Sequence, residues 1–396
     1  MRRPCRPSRH KRTRLCNSID NYSLPYQCGL RLKPTLLPAQ TLEAAAPKLR
    51  RGFPFFWQPR GTVPALENLP LNGGVLRPAD VTEAVTGANS QAHRLMVTAL
   101  AGGKIIGDLR LATTNDDVVI GNIQSVFGAE NLNRHYALQQ RRFRLYKYRK
   151  GTALLLGASN SDNYYHWLVE SLPRWRLLQA AGWQDYDYVL LHSQPSSFQE
   201  ETLDWAGVPK ERRLRCSKHF IHQFETLVVP AMPAARKTVP TWVAPWLRSL
   251  PPHAWAGAEK VYLSRRGAPG RWLVNEPELQ TALDAYGIVT AQPERLTVAG
   301  QARLCGSARW IIGPHGAALA NMVFAAPGAK VVEFFHPQHK NQCYERLAAA
   351  CGHDYASLDG RATNQAGDRR LEYAVDVAAV CRTLDSLETH ANHPRK

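Results

Sequence analysis

A histidine, a glutamate and an arginine spaced four residues apart are the side chains best suited to acid–base chemistry in this chain. His166, Glu170 and Arg174 recur in the segment DNYYHWLVESLPRWRLL, which runs from residue 162 to 178. In a helix the three side chains lie on one face, and an imidazole one turn from a carboxylate forms a usable acid–base pair. Asp162 is a further candidate, and either it or Asn163 could cap the helix. A surface or capping pair would explain the same spacing.

A second set of side chains could bind an anion. Arg265 and Arg266 directly follow an apolar run at residues 261–264, and Arg271 lies in the loop of glycine and proline that comes next. Arginine matches the oxygens of a phosphate with two parallel hydrogen bonds. Each arginine taken singly could also be an ordinary solvated loop charge.

A third segment, residues 310–335, combines a strand, a glycine loop, a short helix and a second strand. The loop contains His315 and Gly316, and a glycine there removes the Cβ that would keep a ligand from the backbone. The free N–H groups at the start of the following helix would favour a phosphate. Glu333 lies near the carboxyl end of the second strand, where open parallel sheets bind ligands. An ordinary strand–helix–strand unit, with His315 capping a turn, is the alternative.

The elements that must position these side chains follow from local patterns. Asn275 precedes Glu276 and Glu278, which indicates a helix with Asn275 as its N-cap and acids in its first turn. Pro173 should kink or end the helix that begins near residue 163. Trp167 and other large apolar side chains should cover the opposite face of that helix.

In this order the three segments resemble glycosyltransferase family 61. The resemblance rests on HWLVESLPR (166–174), YLSRRGAPGRWLVNEPEL (262–279) and GPHGAALANMVFAAPGAKVVEFF (313–335), within a match of roughly residues 60–385. In the family, the first pattern is an aromatic–histidine–aromatic helix with an acid four residues after the histidine. The second is a strand that ends in serine–arginine and is followed by Arg and Asn-Glu. The third is a Gly-x-His-Gly-Ala loop followed by Pro-Gly and an acid. Arg266 and Pro269 depart from the second pattern, which leaves open which arginine meets the phosphates.

This resemblance implies a GT-B glycosyltransferase with two Rossmann-like domains facing a cleft. It also implies an inverting enzyme that needs no metal and no other cofactor, with a nucleotide-sugar donor and a glycan or lipid-linked glycan acceptor. Synthesis of a surface polysaccharide, such as capsule or lipopolysaccharide, is the expected role.

The resemblance assigns roles to residues of this sequence. Fixed arginines and helix N–H groups would stabilise the charge of the departing nucleoside diphosphate without a divalent ion. The residues expected at the diphosphate are Arg265 with Arg271 in support, Gly313, His315, Gly316 and Ala317. Those expected to shape the nucleotide pocket are Asn275, Glu276 and, as a weaker candidate, Glu333. The general base is expected to be Glu170, with His166 orienting or replacing it and Asp162 third.

The pattern of elements predicts an α/β fold in five parts. Residues 1–60 form a basic, partly disordered segment, and 61–235 an acceptor-side domain that includes a β-rich addition at residues 71–127. Residues 236–258 form a proline-rich linker with one short helix near 242–250, and 259–370 the nucleotide-sugar domain. Residues 371–396 form a helix and tail, which we expect to pack back on the first domain.

The net charge and the cysteine content limit which binding partners and which cellular compartment the sequence predicts. Residues 1–60 carry a net charge of +11 and residues 131–150 carry +7, which together account for the net charge of +18. Such segments could contact an anionic membrane or a polyanionic glycan, whereas nucleic acid is the disfavoured partner. The eight cysteines contain no CxxC pair, which argues against a zinc site or a disulfide framework. With no apolar run of about 18 residues and no secretion signal, we expect a cytoplasmic protein, peripheral at the inner membrane.

Two other classes of function remain open. A basic protein that binds nucleic acid or another polyanion would explain the charge but has no use for the His315 loop. A non-catalytic relative that binds sugar nucleotides would keep the arginines and the glycine loop, but it would not need Glu170.

Overall fold

A computed structural model of the chain shows an α/β protein whose described residues form two large sheets and a two-stranded ribbon. The structure describes residues 61–63, 75–78, 96–107, 109, 111–120, 145–158, 160–217, 219–233, 238–251, 257–268, 270–363 and 371–391. The basic segment 1–60 and most of 131–150 lie outside these residues, so the prediction of disorder for the N-terminus is not tested.

Within the described part of the chain, the first sheet has ten strands in the order β1-β6-β5-β4-β10-β7-β8-β9, with β3 joined to β10 and β2 to β3. The strands are Gly61–Val63 (β1), Val75–Pro78 (β2), Met96–Ala101 (β3), Lys104–Ile106 (β4), Leu111–Thr113 (β5), Val118–Ile120 (β6), Leu145–Leu155 (β7), Tyr188–His192 (β8), Arg213–Cys216 (β9) and Phe220–Pro230 (β10). Strands β10, β7, β8 and β9 pair in parallel, as their alternation with helices predicts.

The β-rich addition extends this sheet and does not form a separate layer. β3 and β4 pair antiparallel with β10, and β5 continues from β4. Within this addition, β4 and β5 are separated by a turn that includes Gly107, with φ +53°. Glycine tolerates this left-handed conformation, which lets the chain reverse.

The second sheet is entirely parallel, with the order β12-β11-β13-β14-β15. Its strands are Lys260–Leu263 (β11), Val289–Ala291 (β12), Trp310–Pro314 (β13), Lys330–Phe335 (β14) and Asp354–Asp359 (β15). A two-stranded ribbon follows, with Arg361–Ala362 (β16) and Tyr373–Ala374 (β17). The second sheet has the flavodoxin-like strand order 2-1-3-4-5, in which the first strand lies between the second and the third.

Helices cover both sheets. Among the described residues, the helices of six or more residues are His166–Ser171, Arg174–Ala180, Ser197–Trp205, Val243–Ser249, Glu276–Asp284, Val298–Gly306, Ala317–Phe324, Cys343–Cys351 and Val377–Ala391. Helix His166–Ser171 has wide π-type turns, and Ala317–Phe324 has tight 3-10 turns. As predicted, Pro173 interrupts the first helical segment, and Arg174–Ala180 begins directly after it.

One buried cluster joins helices from both sheets. It contains Trp167 and Leu172 beside β7, together with Met322 and Phe324 beside β13. Helix Val243–Ser249, at the centre of the predicted linker, packs into the same cluster. The division into separate domains at residues 235 and 259 stays a prediction.

The C-terminal helix packs on the second sheet, which corrects the expectation that it returns to the first domain. Val380 and Leu384 are buried together with Tyr262 of β11 and Leu279. Lys260 forms an ion pair with Glu388 at 2.6 Å. The helix pattern of the sequence predicts an apolar stripe but does not say which sheet that stripe covers.

Candidate functional site

The carboxyl ends of β11 and β13 bring two of the three predicted segments together. The two strands are parallel neighbours, with Tyr262 opposite Ile312. Arg265 lies two residues after β11, and His315 directly follows β13. In a sheet of this order, the edge between these two strands is the switch point at which such folds bind ligands.

Gly313 and Gly316 allow close approaches at this edge. A Cβ on Gly313 would lie 3.0 Å from the carbonyl oxygen of Leu263, so glycine lets β13 lie close to β11. A Cβ on Gly316 would lie 2.2 Å from Nη1 of Arg265. The φ of Gly316 is 174°, which any residue adopts, so the need for glycine there is spatial. Gly316 therefore makes room for a guanidinium, where the sequence suggested room for a ligand.

One N–H group of the predicted anion site, that of His315, already has a partner in the sheet. The N–H of His315 donates to the carbonyl of Phe334 at 2.8 Å and therefore belongs to the sheet. Ala317 opens a 3-10 helix and packs partly against the shared cluster. The N–H of His315 therefore does not face an anion, and binding of one by the N–H groups of Gly316 and Ala317 stays a prediction.

Arg265 and Arg271 form a cationic pair. Burial, followed by the charge of Arg271, lowers the pKa of Arg265 to about 10, and burial also lowers the pKa of Arg271. Among the residues that the structure describes, neither arginine forms an ion pair. Arg213 is different, because it pairs with Glu200 at 2.7 Å and with Asp204 at 2.6 Å. Two half-buried guanidinium groups without a carboxylate partner suit a doubly charged anion.

His315 is held by a buried carboxylate. Its Nδ1 contacts Oε1 of Glu333, whose side chain is 0% exposed. The ring stacks on Phe335 with centroids 5.2 Å apart, and its Nε2 lies 3.4 Å from Nδ2 of Asn341. Glu333, the weaker candidate for the nucleotide pocket, therefore acts through His315 and does not line a surface.

The loop after β14 adds residues that the sequence analysis missed. His339 meets the ring of His315 edge-on at 5.2 Å, and Tyr344 does the same from helix Cys343–Cys351. Burial, then the charges of Arg271 and His315, lowers the pKa of His339 to about 4. The polar run HPQHKNQCY directly after a parallel strand was the signal that could have identified them.

The predicted acid–base pair forms in the first half of the molecule. Nδ1 of His166 lies 2.8 Å from Oε2 of Glu170, and both side chains are 12% exposed. Asn163 caps this helix, since its Oδ1 accepts from the N–H of Tyr165 at 3.0 Å. Asp162 is exposed in the preceding turn and is not part of the contact between His166 and Glu170.

Arg174 has a structural place beside this pair. Its guanidinium is buried and donates from Nη1 to the carbonyls of Leu156 and Gly157, at 3.0 and 3.1 Å. Glu170 is close enough to stabilise its charge, although burial is the larger effect and lowers the pKa of Arg174 to about 10. Arg174, the first residue of helix Arg174–Ala180, thus ties that helix to the residues directly after β7.

An aromatic bridge joins the acid–base pair to the His315 loop. Tyr165 meets His166 edge-on at 5.3 Å and meets Tyr344 at the same distance. Tyr344 in turn meets His315 at 5.2 Å. Three consecutive ring contacts place His166 near the cationic edge of the second sheet. The fold thereby brings all three sequence segments to one region.

Asn275 and Glu276 lie at the predicted helix start, but their side chains have other partners. Asn275 occupies the N-cap position without a capping bond, and it exchanges two hydrogen bonds with the backbone of Val375. Glu276 is buried and accepts from the hydroxyl of Tyr262 at 2.9 Å. Glu276 also pairs through Oε2 with Nε of Arg266 in the arginine loop, at 3.9 Å, and a role of Asn275 or Glu276 in a nucleotide pocket stays a prediction.

The described residues contain no group of three or more His, Cys, Asp or Glu side chains arranged to hold a metal ion. Within the same part of the chain, no helix has the length and apolarity that crossing a membrane requires.

Comparison with known proteins identifies the segment that carries these residues. Residues 164–332 match the family model Glycosyltransferase 61. That segment includes the His166 pair, the arginine loop and the Gly316 loop, and it ends one residue before Glu333. It is less than half of the 396 residues.

One curated relative supports the same family. The chain is 33% identical over 104 residues to EGF domain-specific O-linked N-acetylglucosamine transferase from Drosophila melanogaster. The aligned part is 26% of this chain and 20% of the relative. The chain thus spans about a fifth of the length of that protein.

Proposed function

We propose that this protein is a glycosyltransferase that moves a sugar from a nucleotide-sugar donor to a glycan or protein acceptor. The observation that carries the proposal is the pair Arg265 and Arg271, which has no carboxylate partner among the described residues and lies beside His315 at the switch point of the second sheet. The family match of residues 164–332 supports it.

The proposed reaction is an inverting displacement that needs no metal. The acceptor hydroxyl oxygen forms a bond to the anomeric carbon while the bond from that carbon to the diphosphate oxygen breaks. The bonding electrons pass to the diphosphate, where Arg265, Arg271 and His315 stabilise the new charge.

Glu170 takes the acceptor proton in this proposal, and His166, 2.8 Å away, orients the carboxylate or accepts the proton in its place. Asp162 is the weakest candidate because it lies outside that contact. The aromatic bridge through Tyr165 and Tyr344 supports the proposal, because it links the base to the site of the leaving group.

We also propose a first donor to test, a class of acceptor and a cellular location. The Drosophila relative is named for transfer of N-acetylglucosamine, so the uridine diphosphate form of that sugar is the first donor to test. Surface polysaccharide remains our proposed acceptor, with a cytoplasmic location peripheral to the inner membrane. A protein acceptor is the alternative that the relative favours.

Binding of nucleoside diphosphates tests the donor site. We expect UDP, GDP or CDP to bind the wild type in calorimetry, and Arg265→Ala to weaken the tightest of them by roughly tenfold or more. Arg266→Ala is the matched control, because Arg266 is 58% exposed and points toward Glu276. Absence of binding to the wild type, or equal effects of the two substitutions, would show that the assignment is wrong.

Transfer assays test the base. Glu170→Gln should lower turnover by roughly 10²- to 10⁴-fold while diphosphate affinity stays unchanged. Glu278→Gln, at an exposed position of helix Glu276–Asp284, is the control. Retained turnover in Glu170→Gln would move the role to His166 or Asp162.

A further inference from the structure

Three polar side chains connect the start of the acid–base helix to the second half of the molecule. The hydroxyl of Tyr164 donates to Oδ1 of Asn321 at 2.8 Å, and Nδ2 of Asn321 donates to Oε1 of Gln301 at 2.7 Å. Asn321 is 0% exposed, and Gln301 is also buried. These two residues lie on helices that connect strands of the second sheet, whereas Tyr164 lies two residues before His166. We call the three side chains the tyrosine–amide network.

The direction of each hydrogen bond in the network is fixed. Nδ2 of Asn321 also donates to the carbonyl of Ala318 at 2.9 Å, and a carbonyl can only accept. The amide oxygen therefore faces Tyr164, whose hydroxyl must donate. Burial raises the pKa of Tyr164 well above its ordinary value, so the hydroxyl keeps its proton. Nε2 of Gln301 donates to the carbonyl of Leu296 at 3.3 Å. Both amides thus have partners on oxygen and nitrogen, which holds the network in one arrangement.

Aromatic contacts reinforce this anchor. The ring of Tyr164 meets Phe198 edge-on at 5.4 Å, and the ring of Tyr165 meets Tyr344 edge-on at 5.3 Å. Asn321 and Tyr344 lie on different helices of the second half. Two consecutive tyrosines therefore contact two separate helices, which fixes both the position and the rotation of the helix start.

The acid–base helix depends on such contacts because its turns are wide. The N–H of Leu172 donates to the carbonyl of Trp167, five residues earlier, at 2.8 Å. This π-type winding is rare, and where it occurs it is frequently at functional sites. His166 and Glu170 lie within these turns, so a change in winding would move both side chains.

We propose that Tyr164 is a positioning residue whose bond to Asn321 orients the acid–base pair toward the donor site. The inference rests on the proposed function. Asn321 lies five residues after Gly316, so the helix that begins at the glycine loop also carries the anchor of the acid–base helix. Transfer of the acceptor proton requires Glu170 at a fixed place, whereas binding of the diphosphate does not. Loss of the bond should therefore lower kcat and leave diphosphate affinity unchanged.

Tyr164→Phe tests this role, because it removes the hydroxyl and keeps the ring that packs on Phe198. Release of UDP from UDP-N-acetylglucosamine, with water as the acceptor, measures kcat and KM, and calorimetry with UDP measures Kd. We expect kcat to fall roughly tenfold or more, with KM and Kd unchanged. Glu201→Ala is the matched control. It removes two hydrogen bonds to the start of the helix that carries Gln301, and none within the network, so it should keep the kcat of the wild type.

A second variant tests the network if Tyr164→Phe does not fold. Gln301→Met removes the acceptor of Asn321 at the far end of the network, and it should lower kcat several-fold with Kd unchanged. Hydrogen exchange gives a readout that does not depend on the donor sugar. The N–H groups of Trp167 and Leu172 should exchange several-fold faster in Tyr164→Phe than in the wild type or Glu201→Ala.

The outcomes separate this role from the proposed function. A wild-type kcat in Tyr164→Phe, or an equal fall in Glu201→Ala, would overturn the positioning role alone. Unchanged hydrogen exchange at Trp167 and Leu172 would do the same, as would a fall in kcat matched by a weaker Kd. A wild type that binds none of UDP, GDP and CDP and releases no UDP from the donor would overturn the proposed function as well.

Discussion

Replacing Gly316 with alanine should weaken diphosphate binding without destabilising the fold. The new Cβ would lie 2.2 Å from Nη1 and 3.2 Å from Cζ of Arg265, so the guanidinium must move. The φ of 174° accepts alanine, and the close atoms are all in the side chain of Arg265. The strain is therefore relieved by displacing the side chain that we assign to the phosphates.

The expected loss follows from the bonds that Arg265 would no longer make. Hydrogen bonds between charged groups contribute about 1.5–3 kcal/mol, which corresponds to roughly a tenfold to hundredfold weaker Kd. Calorimetry with UDP or pyrophosphate measures the Kd, and urea unfolding measures the stability. The free energy of unfolding should be unchanged or slightly raised, because alanine restricts the unfolded chain.

Gly207→Ala is the complementary control. Gly207 has a φ of +72°, and a methyl group on its Cα would meet no atom within 4 Å. Alanine there should therefore cost about 1 kcal/mol of stability through backbone strain alone and leave the Kd unchanged.

A double-substitution cycle decides whether Gly316 acts through Arg265. If it does, Arg265→Ala with Gly316→Ala should bind diphosphate as Arg265→Ala alone does. Additive losses, or wild-type affinity in Gly316→Ala, would refute the reasoning, because the methyl group would then be acting on something other than the guanidinium.

Two further predictions concern stability. Glu201 accepts hydrogen bonds from the N–H groups of Val298 and Ala299, at 2.8 and 2.7 Å. Glu201→Ala should therefore lower the free energy of unfolding, measured in urea, by about 0.5–2 kcal/mol and leave the affinity for diphosphate unchanged. A weaker Kd for diphosphate would contradict this purely structural role. Burial and the charge of Arg271 lower the pKa of His339 to about 4, so from about pH 6.5 to 4 the unfolded chain binds a proton that the folded chain does not. Stability should therefore fall as pH falls through this range, and His339→Gln should reduce the difference between pH 7 and pH 5; equal differences would exclude the effect.

Local patterns predicted most elements of the parallel sheets. The strand, short helix and second strand predicted within residues 310–335 are present as Trp310–Pro314, Ala317–Phe324 and Lys330–Phe335. Alternation of apolar runs with helical segments is a property of neighbouring residues, which is why it can be read from the chain. The β-rich addition was harder, because pairing with β10 connects residues more than 100 positions apart.

The candidate site shows the same difference between local contacts, which the sequence predicted, and distant contacts, which it did not. Spacing of four residues predicted the contact between His166 and Glu170, and the structure has it at 2.8 Å. The position of Asn275 at a helix start was also predicted, but the partner of its side chain is Val375, which lies 100 residues later. A capping bond is a local option, and the tertiary structure replaced it with a distant one.

Local sequence was enough to identify the residues that could do chemistry and the elements that carry them. It predicted the acid–base helix, the arginine loop and the glycine loop, because helical spacing, strand ends and turn residues act over a few positions. What each side chain meets depended instead on tertiary packing. Packing placed Arg265 over Gly316, set Glu333 and Tyr355 behind His315, and joined Tyr165 to Tyr344. These contacts depend on strand order and on packing between distant segments, which no local pattern encodes.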